Sequence, residues 1–402
     1  MLGEGGNGNM KKVLMITNSP IFPVINGSRQ RVYNLLHLLE KAGCKVDIVI
    51  YNDRNGYFDT SMALKDNNVY FFDADRTKSS LVKAKDKIRE KLPIKALKIY
   101  SFPYGIDEAF PRGLDDYVAH LHEKNKYDIA MVEYVYLSKA LTKLGNDVFK
   151  IIDTHDVLAY RCNMYYSMNT KPRNFYTNFW GERQGVMRAD AILAIQKNEK
   201  RYFEKLTGNK KKVYCIGNYF KPVKENFVEK KTILFLGSNN DPNRQALMYF
   251  LKDIWHSVKE RVPDAEFIIA GDVSNAVEDS EAYTKAGFVE KLEDIYQQAR
   301  VVINPMLSGT GLPIKTIEAL AYSKAVLMTQ SGARGLNKNF NEEAFLIAGN
   351  TDDFANKLVE LLKNDDLIKK LQSGSRKYMR KYNSMIYHNI KQILNECEMD
   401  VR

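Results

Sequence analysis

The residues best suited to chemistry lie in the stretch 304–327, NPMLSGTGLPIKTIEALAYSKAVL. A strand-like run delivers the chain to Ser308, Gly309, Thr310, Gly311 and Leu312, and helical spacing takes over at once. Glycines let the backbone approach a ligand closely. A helix start presents unpaired N–H groups with a partial positive charge. Together these make a site for a phosphate or diphosphate. Lys315 lies in the first helical turns and would add a full charge there, and Glu318 shares its face at i, i+3 spacing. A carboxylate would repel a diphosphate, so Glu318 is better suited to accept hydrogen bonds from ribose hydroxyls. The same residues also fit a surface βα loop carrying a lysine–glutamate pair on a solvated helix.

A second constellation is Asp153, Thr154, His155 and Asp156 at the end of an apolar run, residues 149–153. Two flanking carboxylates would raise the pKa of His155 or fix its tautomer. A satisfied loop histidine is the other reading. Residues 76–98 hold nine basic side chains against Asp86 and Glu90, with Leu81, Val82, Ile88 and Leu92 at roughly helical spacing. That pattern fits a basic amphipathic helix on an anionic membrane, or one solvated helix face. Residues 160–180 are rich in aromatic side chains, Met and Arg, which suits sugar stacking, a lipid cover or buried core.

Alternating strand and helix patterns must position these residues. Residues 12–17 read as a strand, 29–41 as a helix and 46–50 as a strand, which is a βαβ unit and predicts a parallel sheet. Further strands are expected at 69–72, 129–132, 149–153, 191–195 and 212–216, with a helix at 114–124. The polar stretch 218–231 contains Pro222 and reads as a linker. The alternation then restarts, with strands at 232–236, 266–270, 301–304 and 325–329 and helices at 247–261, 292–299 and 314–322. Residues 365–402 read as helices. The expected organisation is an N-terminal Rossmann-like domain over 10–222, a second over 223–380, and a terminal helix over 381–402. Two such α/β domains facing each other would enclose a ligand cleft.

Composition narrows the partners. A chain of 402 residues with 45% hydrophobic and 27% charged positions is an ordinary globular protein rather than a disordered or fibrous one. Residues 1–222 carry 36 Lys and Arg against 24 Asp and Glu, a balance of +12; the remainder carries 24 against 25, or −1. That asymmetry fits a first domain that faces an anionic partner, or equally a generally basic surface of well-solvated lysines. A nucleic acid is not expected, because no RRM, KH or helix-turn-helix pattern accompanies the charge. Cys44, Cys162, Cys215 and Cys397 are scattered, so neither zinc site nor disulfide framework follows. No apolar run approaches the ~18–20 residues of a membrane span. Residues 1–9 lack a secretory profile, and a cytoplasmic location is expected, at the inner face of the membrane if the basic segment docks there.

The order of motifs resembles glycosyltransferase family 4, whose fold is GT-B. Residues 18–31, with Gly27 and Arg29, are similar to its glycine-containing first loop, and 127–133 to the following strand. Asp153-Thr154-His155-Asp156 resembles a DxHD-like strand end. Ala189-Asp190-Ala191-Ile192 and Ile216-Gly217-Asn218 resemble the last strands of the first domain. Phe235-Leu236-Gly237-Ser238 with Pro242-Asn243 resembles the opening of the second domain, and Gly287-Phe288-Val289, Asn304-Pro305 and residues 309–321 follow in order. The donor segment is similar to that of a subgroup with GxGxxxKxxEA. It departs from the common family pattern in two respects: Thr310 stands where a first glutamate touches the donor sugar, and the family's Arg and Lys after the second-domain strand are not matched, Arg244 lying nearby but Asn243 occupying the PN motif.

The resemblance implies a retaining hexosyltransferase that uses a nucleotide-sugar donor and a lipid-linked or saccharide acceptor, as in surface polysaccharide assembly. It implies a donor site of Gly237, Ser238, Asn243, Ser308, Gly309, Thr310, Gly311, Leu312, Lys315 and Glu318. Lys315 and His155 would be catalytic, and Gly27, Arg29, His155, Asp156 and Tyr160 would face the acceptor. No cofactor or metal is expected, since no DxD cluster sits beside a strand end and turn amides with Lys315 could balance the leaving diphosphate. Loss of the glutamate at Thr310 leaves a different class open, a non-catalytic GT-B protein that binds or scaffolds an active partner.

Overall fold

The computed structural model describes residues 10–18, 21, 24, 26–51, 67–73, 80–100, 102–159 and 161–400. These form two compact units. One runs to Gly217 and takes in residues from Ile386 onward; the other is Asn218–Met385.

Seven strands build the sheet of the first unit. They are β1 (Lys11–Thr17), β2 (Cys44–Tyr51), β3 (Val69–Phe72), β4 (Ile129–Glu133), β5 (Phe149–Asp153), β6 (Ala191–Ala194) and β7 (Lys212–Cys215). Their order is β3-β2-β1-β4-β5-β6-β7, and every pairing is parallel. Helices cover both faces of such a sheet, so its strands read as continuous apolar runs rather than alternating ones. Leu14, Ile16, Val49, Val132, Ile152 and Ile192 lie in its core. The winding reverses between β1 and β4. Beyond the carboxyl ends of strands at such a reversal lies the crevice where open α/β sheets bind ligands.

The second unit repeats the plan with β8 (Thr232–Leu236), β9 (Glu266–Ala270), β10 (Thr284–Gly287), β11 (Val301–Asn304), β12 (Ala325–Thr329) and β13 (Leu346–Ala348). The order is β10-β9-β8-β11-β12-β13, again all parallel, with the reversal between β8 and β11. The edge strands β10 and β13 were not foreseen: β10 is only weakly apolar, and β13, though apolar, is three residues long.

Four expectations need correction. The stretch 218–231 is not a free linker. Val223 N–H donates to the Ala321 carbonyl (2.8 Å), Asn383 to that of Phe220 (2.7 Å) and Gln372 to that of Asn226 (2.9 Å). These bonds move the changeover to Gly217, ahead of Pro222. The helix expected from 247 starts at Asp241, because Asn240 caps it by accepting from Asn243 N–H and Pro242 sits in its first turn. It continues through a π-turn, Leu251–Trp255, to Arg261. The basic helix divides into Ser80–Lys91 and Ile94–Tyr100 at Pro93; Arg76 and Lys78 lie outside the described residues. Asp365–Asp400 is a single helix of 36 residues, and its part beyond Ile386 belongs to the first unit.

The aromatic segment divides between core and surface. Tyr165, Tyr166 and Tyr176 are buried, the last two beside Leu97, while Phe179 and Trp180 are exposed and meet edge to face at 5.3 Å. Among the described residues no helix is long and apolar enough to cross a membrane.

Candidate functional site

At the reversal of the second sheet, β11 ends in Asn304, whose Nδ2 donates to Thr316 Oγ1 at 2.7 Å. Residues 305–313 then turn into the helix Ile314–Ala321, which has Pro313 at its cap and no side-chain cap bond. The helix begins at Ile314, the expected position, and ends one residue short of the expected 322. Gly309 and Gly311 take φ of +149° and +66°, which L side chains rarely adopt, so the path of the turn depends on glycine. Residues after β12 brace it. Thr329 Oγ1 donates to the Met306 carbonyl, Ser331 Oγ to that of Leu307 (2.9 Å), and the Arg334 guanidinium to those of Thr310 and Gly311 (both 3.0 Å). No motif pointed to this bracing segment.

Lys315 is half-buried. Its Nζ donates to Asn243 Oδ1 at 2.7 Å and lies 4.3 Å from the centre of the Phe235 ring. A neutral amide and an aromatic face offset little of the cost of removing an ammonium from water. Burial therefore lowers its pKa to about 7. Asn243 Nδ2 donates in turn to the Ser238 carbonyl at 2.9 Å, and Ser308 Oγ to Gln245 Oε1 at 3.1 Å. Gly237 links the end of β8 to the neighbouring turn, its carbonyl accepting from Val273 N–H at 3.1 Å. The structure thus brings together Gly237, Ser238, Asn243, Ser308 and Lys315 from two separate chain segments, one after β8 and one after β11. Arg244 points elsewhere, to Asn239 and Asp241.

Glu318 is 6% exposed and accepts from Tyr296 Oη at 2.8 Å; Tyr296 stacks on Tyr322 at 4.4 Å. Burial raises the Glu318 pKa to about 7, with the Tyr296 bond acting against the rise. Lys315 and Glu318 each have their own partners, so the solvated-pair reading of this helix does not hold. Leu312 is buried.

In the first unit the corresponding reversal holds a buried ionic cluster. Glu133 ends β4 and pairs in register with Asp153 of β5. His155 Nε2 bonds to Glu133 Oε2 and lies 3.4 Å from Asp153 Oδ2. Arg31 grips both Asp153 oxygens, at 2.8 and 2.7 Å, and the Gly217 carbonyl at 2.6 Å. This corrects the expected environment of His155: its carboxylates are Asp153 and Glu133, while Asp156 faces Arg161 at 3.1 Å. Burial and the neighbouring Asp153 charge push the Glu133 pKa up to about 7. The Asp153 carboxyl is held down by the Arg31 charge despite its burial. Glu133, Asp153 and His155 place ligand atoms within 4.8 Å of one another, a spacing a metal ion could use. The cation that Asp153 already answers is the Arg31 guanidinium.

Two non-glycine residues with positive φ meet here. Tyr134 (φ 72°) and His155 (φ 55°) stack with ring centres 4.0 Å apart. Strained backbone of this kind concentrates at functional sites. Tyr134 Oη bonds to Ser28 Oγ at 2.8 Å, which joins the start of the helix Gly27–Lys41 to the cluster. Gly27 opens that helix, and the Arg29 amide donates to the Asn26 cap at 3.0 Å. Tyr160 lies outside the described residues. Glu133 and Tyr134 escaped sequence reasoning because strand-end residues of this type carry no spacing signal.

Comparisons with known proteins bear on the fold. Residues 230–364 match the family model of glycosyl transferases group 1. An uncharacterized 44.6 kDa protein in the cps region of Klebsiella pneumoniae is 25% identical over 392 residues, covering 88% of this chain and 92% of that protein. Sucrose-phosphate synthase from Thermosynechococcus elongatus superposes with TM-score 0.68 at 15% identity, covering 96% of this chain and 98% of that one. A mutant of S. aureus TarM, in complex with Fondaparinux, alpha-GlcNAc-glycerol and UDP, gives 0.67 at 13% identity, covering 98% and 99%. The two parallel-sheet units are those of the GT-B fold.

Proposed function

We propose that the chain is a retaining glycosyltransferase that moves a hexose-type sugar from a nucleotide-sugar donor to a saccharide or lipid-linked acceptor. The observation that carries the reading is the cluster of Lys315, Asn243, Ser238 and the glycine turn at the β8–β11 reversal. It lies within the residues that match the group 1 glycosyltransferase model. Transfer breaks the bond between the anomeric carbon and the diphosphate oxygen. The leaving group gains negative charge as that bond lengthens, and donors already aimed at it lower the barrier. Turn amides around Gly311 and the Lys315 ammonium are those donors, without a metal. The acceptor hydroxyl attacks from the face the diphosphate leaves, its proton passes to the leaving phosphate oxygen, and configuration is retained. Glu318, anchored on one oxygen by Tyr296, keeps the other for a ribose hydroxyl.

The cps-region relative supports surface polysaccharide assembly as the setting. The basic helices Ser80–Lys91 and Ile94–Tyr100, with Ile88 and Ile99 exposed, support peripheral contact with the inner face of an anionic membrane. Release of UDP or GDP from a panel of nucleotide sugars, with and without acceptor oligosaccharides, tests the enzyme reading. Lys315→Ala should lower turnover about 10²–10³-fold while the circular dichroism spectrum stays native. Near wild-type turnover in that variant would sink the donor-site assignment. Tight UDP binding with no release from any donor would favour the non-catalytic reading that Thr310 keeps open.

A further inference from the structure

The buried cluster of the first unit leaves one nitrogen outside it. Arg31 occupies both Asp153 oxygens, at 2.8 and 2.7 Å, so the carboxylate left for His155 Nε2 is that of Glu133, met through Oε2. The other Glu133 oxygen, Oε1, is buried and has no hydrogen-bond partner among the described residues. A carboxylate with no exposure is costly unless a hydrogen is directed at it. His155 Nε2 is the group placed to supply one. In an imidazole the hydrogen bond made by one nitrogen decides the protonation of the other. With the hydrogen on Nε2, a neutral ring carries a bare lone pair on Nδ1, at the ring edge turned away from Glu133. Nδ1 has no partner among the described residues, and it is not among the fully buried atoms left without one. It therefore lies in the 7% of His155 that stays exposed. Tyr134 holds the ring in this pose by stacking on it at 4.0 Å, and is itself stacked on Tyr136 at 5.1 Å and bonded through Oη to Ser28.

We propose that Glu133 is a positioning residue: it fixes the hydrogen of His155 on Nε2, so that Nδ1 is presented as a hydrogen-bond acceptor to a sugar hydroxyl. The residue type fits. A glutamine side chain offers N–H as well as C=O and would leave either arrangement of the ring hydrogen open. Asp153 does not replace Glu133, because Arg31 holds it and its nearer oxygen lies 3.4 Å from Nε2. The lone pair also selects the ligand group: it accepts from a neutral O–H and repels a phosphate oxygen. That the hydroxyl belongs to a substrate rests on the glycosyl-transfer reading, whereas the protonation of the ring does not.

NMR of the full chain with isotope-labelled histidine tests this at about pH 8, where an ordinary histidine is neutral. His155→Gln assigns the signals. The wild type should show a pyridine-type Nδ1 and a pyrrole-type Nε2 whose proton is displaced downfield, as for a proton held by a carboxylate. Glu133→Gln should return that proton toward the position of an exposed imidazole or lose it to solvent exchange. A glutamate of purely structural importance would lower stability without moving it. Adding nucleotide sugar and acceptor should shift Nδ1 in the wild type. In Glu133→Gln, kcat/KM for transfer should fall about ten-fold with UDP affinity unchanged, as for one oriented hydrogen bond. A proton on Nδ1 of the wild type, an Nε2 proton unmoved in Glu133→Gln, or an Nδ1 signal unmoved by substrates that are being turned over would each overturn the proposal. If Glu133→Gln does not fold, the wild-type spectra decide alone. The expected ligand-free spectrum in a protein that releases nucleotide from no donor would keep the positioning role and remove the transfer reading instead.

Discussion

In the first unit, the acids at the strand ends already have their answer. Arg31 takes both oxygens of Asp153, and His155 takes Glu133 and leans on Asp153, all shielded from water. At the matching place in the second unit the charged groups have no such answer. Among the described residues Lys315 meets an amide oxygen and a ring and Glu318 a tyrosine hydroxyl, and burial brings both pKa values to about 7. The backbones differ in the same sense. Strain at Tyr134 and His155 is held by packing, whereas the second turn avoids strain with glycine. A cluster that neutralises itself fixes geometry. In the second unit burial lowers the Lys315 pKa to about 7, so an anion arriving beside it would restore its proton.

The contrast can be broken most severely at Arg31. Arg31→Ala leaves two buried carboxylates beside each other, and a loss of about 3–5 kcal/mol of stability is expected. Denaturant unfolding of the first unit reports it, and a loss under about 1 kcal/mol would mean the cluster is not self-neutralising. Next in size is the pH response of UDP affinity. A depressed lysine pKa means the free protein has largely lost the Lys315 proton above pH 7, whereas a bound diphosphate restores it. Affinity should therefore fall by up to about ten-fold per pH unit as pH rises from 7 toward 9. Lys315→Met should flatten most of the slope in calorimetric titrations, and an unchanged slope would locate the titration elsewhere. Stability has the opposite sign. The unfolded lysine holds its proton up to its ordinary value, so native stability from this group rises with pH between about 7 and 10.5. The smallest effect is expected at Tyr296→Phe, which removes one neutral anchor from Glu318. KM for the donor should rise a few-fold, about 1 kcal/mol, with kcat nearly unchanged.

Much of the architecture was legible because parallel strands buried on both faces are short apolar runs. The strands at 149–153, 232–236, 266–270 and 301–304 coincide with the expected ones residue for residue. The start of the helix at Asp241 was not, since its first turn is polar and its signal is a cap rather than a period. The glycine turn after β11 was visible as glycines before an amphipathic helix. What holds it was not. Arg334 lies more than twenty residues downstream, and the carbonyls it gathers have no sequence identity at all. His155 was recognisable at its strand end, but its partners depend on register, which sets Glu133 beside Asp153 and leaves Asp156 to Arg161.

The first unit is also discontinuous along the chain, resuming at Ile386 after all of Asn218–Met385 has been made. Ile386, Ile390, Ile393 and Leu394 are buried, and the Asn389 amide donates to the Cys215 carbonyl at 2.9 Å. On the ribosome, at roughly 5–20 residues per second, the groove they fill stays open for on the order of ten seconds or more while the second unit is synthesised. A nascent chain stalled within that interval should bind chaperones through this groove, and an added peptide of residues 386–400 should compete for it.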